Sequence, residues 1–130
     1  VYELTLIYLR PERPALDAAI DRRSERIARR GLPEARTLQA LLDAGVPVSP
    51  SVLGSIGVRE LLAHLRGELS LEEARRLIST RTRHLARRQM RWFDKLARTL
   101  SGKAHTTVVS SPSDPALRQA LHSMHDIIGA

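Results

Sequence analysis

The chain opens on an almost unbroken hydrophobic run, VYELTLIYL at residues 1–9, built largely from β-branched and aromatic side chains. That pattern predicts a strand covered on both faces. Pro11 and Pro14 end it, and Pro14 suits the first turn of a helix running to about Arg30, with Gly31 as its stop. Hydrophobic positions then recur at helical spacing over residues 33–44, closed by Gly45. The stretch VPVSPSVLGSIG, residues 46–57, holds two prolines, three serines and two glycines and predicts a loop. VRELLAHLRG predicts a short helix ended by Gly67. Ser70 and Glu73 have capping-box spacing, so a long helix is expected from there to about Leu100, with Gly102 behind it. TTVVS, residues 106–110, predicts a short edge strand, and Asp114–Pro115 opens a final amphipathic helix over residues 114–128.

These elements describe a mostly helical α/β chain with a strand near each end. Two short strands do not make a stable sheet alone, so the remainder of the sheet is expected in residues outside this sequence. A first residue that is Val1 rather than Met, already inside a strand pattern, points the same way, toward a fragment. At 42% hydrophobic and only 3% aromatic residues, the core must rest on Leu, Ile, Val and Ala. There are no cysteines, which excludes disulfides and thiolate metal sites. No apolar run approaches the ~18 residues of a membrane span, and no signal sequence is present, so a cytoplasmic protein without a membrane partner is expected. Lys plus Arg number 21 against 14 acids, a net charge of +7 with pI near 11.1, which points to a polyanionic partner or phosphorylated substrates.

The cations have a defined placement. On the long helix an apolar stripe runs through Leu71, Ala74, Ile78, Leu85, Trp92 and Leu96. Arg81 and Gln89 fall about 40° from its centre, Thr82 and Arg88 about 60°, so these polar groups are expected on or beside the buried face. Arg76, Arg83, Arg87, Arg91 and Arg98 take the opposite side. Residues 75–98 carry nine Lys or Arg and one acid, Asp94, where surface helices ordinarily mix signs. Such a face repels itself unless an anion lies nearby, although a plain solvated face is the alternative. On the first helix the stripe is Leu16, Ile20 and Ile27, and Arg23 lies about 60° from Ile20. An arginine there must snorkel, pair with an acid such as Asp21, or bind an anion. Asp17, Asp21 and Glu25 could equally form ordinary surface pairs with Arg22 and Arg26.

GLPEARTLQALLDAG, SIGVRELLAHLRGELSLEEA and TRHLARRQMRWF resemble, in order and spacing, the C-terminal half of tRNA dimethylallyltransferases over roughly residues 1–100. The last motif is the specific one: Thr82, Arg83, Ala86, Arg88, Gln89 and Trp92 match the family's T-R-x-x-A-K-R-Q-x-x-W, with Arg87 in place of its lysine. The resemblance implies a P-loop-kinase-like α/β fold, completed by N-terminal residues that would precede Val1. It implies transfer of a dimethylallyl group from dimethylallyl diphosphate to N6 of adenosine 37 in the tRNA anticodon stem-loop, by displacement of diphosphate, with Mg2+ whose ligands lie outside this chain. It assigns Arg23 to the prenyl diphosphate. Arg88 and Gln89 would support the phosphate pocket or lock the helix against the central sheet. The resemblance also implies tRNA contacts for Arg59, Arg83, Arg87 and Arg91. Trp92, at the centre of the apolar stripe, is expected to be a packing anchor rather than a base-stacking group.

There are departures. The family has Gly-Tyr and a basic residue where this chain has Gly57, Val58 and Arg59. No G-x-x-x-x-G-K-[ST] loop occurs, and SGKA at residues 101–104 does not supply one. The P-loop and the base aspartate would therefore belong to a partner N-terminal half, and no catalytic residue is expected in this chain, which should not catalyse alone. The alternative class is a non-catalytic RNA-binding or partner-binding module. His122, His125 and Asp126 make a weak metal constellation, because a zinc site normally takes three or four protein ligands.

Overall fold

A computed structural model describes residues 4–128 of the protein, with side chains through residue 125. The elements are β1 (Thr5–Leu9), α1 (Arg13–Arg30), α2 (Leu32–Asp43), α3 (Pro50–Leu53), α4 (Val58–Leu65), α5 (Leu71–Leu100), β2 (His105–Val109) and α6 (Pro115–Ile128). The expected strand at residues 1–9 is described only from Thr5 onward, and its first three residues lie outside the described part. One expectation fails at α3, a single helical turn inside the stretch predicted as loop. Pro50 at the start of that turn has its backbone angle preset for helix, so a residue type read as a breaker is here an initiator.

The chain divides into two compact units, one made of the residues up to Leu16 with those from Ala86 onward, the other of Asp17–Leu85. In the first unit β1 and β2 pair with each other in parallel, from Thr5 opposite His105 to Leu9 opposite Val109. Helix α6 packs against both strands. The expectation of a first strand covered on both faces is corrected: Tyr8 is buried, but Leu9 is 48% exposed. On β2, Val109 is buried and Val108 lies open. Asp114 caps α6 as expected, accepting from the Ala116 amide at 3.0 Å and the Ser110 amide at 3.2 Å.

The second unit is helical, with α4 packed on α2 and α3. Its buried hydrophobic side chains are small or aliphatic: Ile20, Ala28, Ala35, Leu61, Leu62, Ala63, Ala74 and Ile78. Small residues let the backbones approach. At Gly31, between α1 and α2, an added Cβ would lie 2.7 Å from the Ile27 carbonyl oxygen and 2.9 Å from Leu61 Cδ1, so only glycine fits without a shift. The capping box at α5 forms as expected: the Ser70 amide donates to Glu73 Oε2 at 2.7 Å and the Glu73 amide to Ser70 Oγ at 3.1 Å. Among the described residues no helix is long and apolar enough to cross a membrane.

Candidate nucleic-acid interface

In the helical unit, acids on α1 meet bases on α5. Asp17, Asp21 and Glu25 recur every fourth residue and so share one face of α1; Arg75, Ser79 and Arg83 do the same on α5. Arg83 Nη2 donates to both oxygens of Asp21, at 2.7 and 2.6 Å, and its Nε lies 3.5 Å from Asp17. Ser79 Oγ donates to Asp21 Oδ1 at 2.6 Å, and Arg75 Nε lies 3.6 Å from Glu25. The partners run in opposite directions along the two helices, an antiparallel ladder. Each rung is partly exposed and stabilises by no more than about 1 kcal/mol; its main effect is to aim the side chains. Arg83 is thereby corrected: expected on the solvated outer side, its guanidinium is instead committed to two carboxylates. The apolar-stripe wheel could not show this, because it scores only the hydrophobic face of each helix separately.

A second ion pair lies deeper. Glu60 on α4 is 1% exposed; its Oε1 accepts from Arg81 Nη1 at 2.5 Å and its Oε2 from the Gly57 amide at 2.7 Å. Gly57 has φ +100°, a conformation open to glycine, and it turns the chain into α4 so that its own amide faces the Glu60 carboxylate. The expectation that Arg81 and Thr82 lie beside the buried face holds. Thr82 Oγ1 donates to the Ile78 carbonyl at 2.7 Å. Glu60 had no sequence signal beyond its position three residues after a glycine that begins a helix.

The remaining predicted residues are exposed. Arg23 and Arg59, in the helical unit, and Arg87, Arg88, Gln89 and Arg91, in the strand-containing unit, all face solvent. The stripe expected to bury Trp92, with Arg88 and Gln89 on or beside it, does not persist: Ala74 and Ile78 are fully buried, whereas Leu85 is 41% and Trp92 60% exposed. Trp92 touches Phe93 edge-on, with ring centroids 4.8 Å apart, and is not buried as a packing anchor. The structure therefore splits the motif of residues 82–92. Its first part is tied into the helical unit, and its second part stands as uncompensated cations on α5.

The one acid of that part is already used. Asp94 Oδ1 accepts from Arg10 Nε at 2.9 Å and from the Tyr8 hydroxyl at 3.0 Å, and Tyr8 stacks on Phe93 at 5.4 Å. The Arg10 hydrogen bond, aided by that from Tyr8, holds the Asp94 carboxyl below the usual carboxylate range. Burial, then the neighbouring Asp94, pushes the Tyr8 hydroxyl up. Among the described residues no ion pair involves Arg87, Arg88 or Arg91.

At the other end of α5 the charges do balance. Hydrogen bonds from Arg75, then from Arg76, pull the Glu72 carboxyl down to about 2. Because the folded value is depressed, the stabilisation is complete above the ordinary carboxylate range near ~4.3 and is lost as pH falls from there to about 2. A carbon-detected NMR titration is expected to place Glu72 near 2, and Arg75→Ala to return it most of the way to the ordinary range. A Glu72 midpoint at the ordinary value would show that these pairs do not form in solution.

The described residues do not fit a Mg2+ site. No group of three potential ligands occurs among the described residues, and the paired carboxylates of Asp17 and Asp21 are satisfied by Arg83 and Ser79. His122 and His125 are exposed on α6, and the Asp126 side chain lies outside the described residues.

The features in place are a mostly helical α/β chain with a parallel strand pair, a charge-matched helix pair and a cation-bearing long helix. That fold is shared with solved transferases. A tRNA delta(2)-isopentenylpyrophosphate transferase from Staphylococcus epidermidis superposes with a TM-score of 0.68 over 100% of this chain and 40% of its own, at 22% identity. The full-length tRNA isopentenylpyrophosphate transferase from Bacillus halodurans gives 0.66 over 98% of this chain and 39% of its own, at 29% identity. The family described as IPP transferase matches residues 1–96. A tRNA dimethylallyltransferase of Rubrobacter xylanophilus is 78% identical over 129 residues, 99% of this chain and 44% of that protein. One from Geobacter metallireducens is 48% identical over 82 residues, 63% of this chain and 26% of that protein. The chain belongs to the IPP transferase family, and it spans less than half the length of these relatives.

Proposed function

We propose that this chain is the C-terminal portion of a tRNA dimethylallyltransferase, transferring a dimethylallyl group from dimethylallyl diphosphate to N6 of adenosine 37 in the tRNA anticodon stem-loop, in the cytoplasm. The observation that carries this reading is the 78% identity to the Rubrobacter relative along almost the whole chain. In the reaction the exocyclic amine attacks the allylic carbon, a C–N bond forms, the C–O bond to diphosphate breaks and the amine proton passes to a base. The base and the P-loop are supplied by an N-terminal half of P-loop type, and Mg2+ by ligands outside the described residues. This chain's part is electrostatic: cations placed where negative charge accumulates on the leaving group, and along the RNA backbone.

Within this reading Arg23 meets the diphosphate, since it is exposed and makes no ion pair among the described residues. Arg88 and Gln89 support the binding of phosphate, and Arg59, Arg87 and Arg91 follow the RNA. Arg83 contributes by fixing α5 against α1, because its guanidinium is already neutralised.

The test joins this chain to the remaining length of the Rubrobacter relative and measures dimethylallyl transfer to an anticodon stem-loop. Arg23→Ala is expected to raise KM for dimethylallyl diphosphate about tenfold, the loss of one charge-assisted contact. The double variant Arg87→Ala with Arg91→Ala is expected to weaken RNA binding and flatten its log–log salt slope by about 1.4–1.8. RNA binding with no transfer would replace the enzyme reading with a binding module.

A further inference from the structure

We propose that Glu60 is a positioning residue for RNA: by holding Gly57 and Arg81 at once, it sets the first turn of α4 and presents Arg59 to a backbone phosphate. The inference rests on the reading of the chain as a tRNA-binding part. Its geometry does not. The bond from the Gly57 amide to Glu60 closes a short ring of backbone, and Val58 and Arg59 are the two residues inside it. Gly57 has no side chain to cap the helix, so Glu60 is the group that anchors this end of α4, and Arg81 anchors Glu60 to α5.

The two enclosed residues border different concavities. Val58 lines an apolar pocket of about 250 Å³ with Ile27, Ala35, Leu38 and Leu61. Arg59 borders a groove of about 450 Å³ whose floor is Leu42, Leu53 and Leu62 and whose other cation is Arg66. Arg66 is taken by Glu68 at 2.5 Å, while Arg59 makes no ion pair among the described residues. A groove with one uncommitted guanidinium on its rim takes a single phosphate, and the direction of that guanidinium depends on the turn that Glu60 holds.

The test is a double-mutant cycle on binding of an anticodon stem-loop by the full chain, read as the salt slope. Arg59→Ala is expected to flatten the slope by about 0.7–0.9, one phosphate contact. Glu60→Gln, which preserves shape but removes the charge that orders Arg81, is expected to flatten it by a similar amount, and the double variant by no more than either single change. Gly57→Ala reaches the same turn without altering a charge, since its Cβ is strained at φ +100° and would lie 3.0 Å from Ile27 Cγ2. It is expected to reproduce the loss with helical circular dichroism retained. If Glu60→Gln fails to fold, Arg81→Lys takes its place in the cycle. Effects of Arg59→Ala and Glu60→Gln that add in full, or an unchanged slope in Glu60→Gln and Gly57→Ala, would overturn the positioning role and leave the tRNA reading standing. A wild-type chain whose RNA binding shows no salt dependence would overturn both.

Discussion

Arg81→Ala is expected to lower the unfolding free energy by about 3 kcal/mol, one of the largest effects of any single charged residue in this chain, because it strands a carboxylate that is 1% exposed. The Glu60 Oε1 atom would lose its partner with no route to water, and the Gly57 amide satisfies only the other oxygen. The reciprocal change is asymmetric. In Glu60→Ala the groups left behind are Arg81, whose side chain is 35% exposed and can turn to solvent, and the uncharged Gly57 amide, so no buried charge is stranded and the cost should be smaller. Urea denaturation of both variants at unchanged m-value measures the difference. Equal costs, or an Arg81→Ala cost under about 1 kcal/mol, would place the pair among ordinary surface ion pairs.

Ile78→Ala is expected to cost about 3 kcal/mol and Ile78→Val about 1 kcal/mol, since Ile78 and Ala74 one turn before it are both fully buried and a cavity there has little freedom to collapse. The neighbourhood makes this more than a packing loss. Ser79 and Thr82, which follow Ile78 on α5, are anchored to Asp21 and to the Ile78 carbonyl. A relaxed Ile78→Ala core would shift the Asp21 contacts with it. Thermal unfolding followed by circular dichroism gives the magnitude. A ratio near one between the two substitutions would mean that the site is wetter than its burial implies.

What could be read from the chain alone was mostly local. The Ser70–Glu73 box, the Asp114 cap and the glycine stops depend on residues within four positions of each other, and they form as expected. The α3 turn was not legible, because one turn contains no period to detect. The candidate site divides along the same line. Arg81 was placed well by the wheel, since burial of its neighbours decides its surroundings. Arg83 was misplaced because its environment is set by Asp17 and Asp21, some sixty positions away. A search for acids and bases repeating every fourth residue on two helices would have found that ladder. Arg88, Gln89 and Trp92 were misplaced for a different reason. No single apolar stripe runs along all of α5: full burial stops by Ser79 and the compact helical unit ends at Leu85.

The parallel pairing of β1 with β2 also constrains how the chain is made. Every matched pair, from Thr5 with His105 to Leu9 with Val109, is separated by one hundred positions. Closing a loop of that size costs on the order of 4 kcal/mol in chain entropy, before any helix formed inside it shortens the effective length. β2 is synthesised one hundred positions after β1, so β1 is without this partner while the helices between them emerge and fold. Premature termination anywhere before His105 would deprive β1 of the parallel strand it pairs with here and leave that edge open.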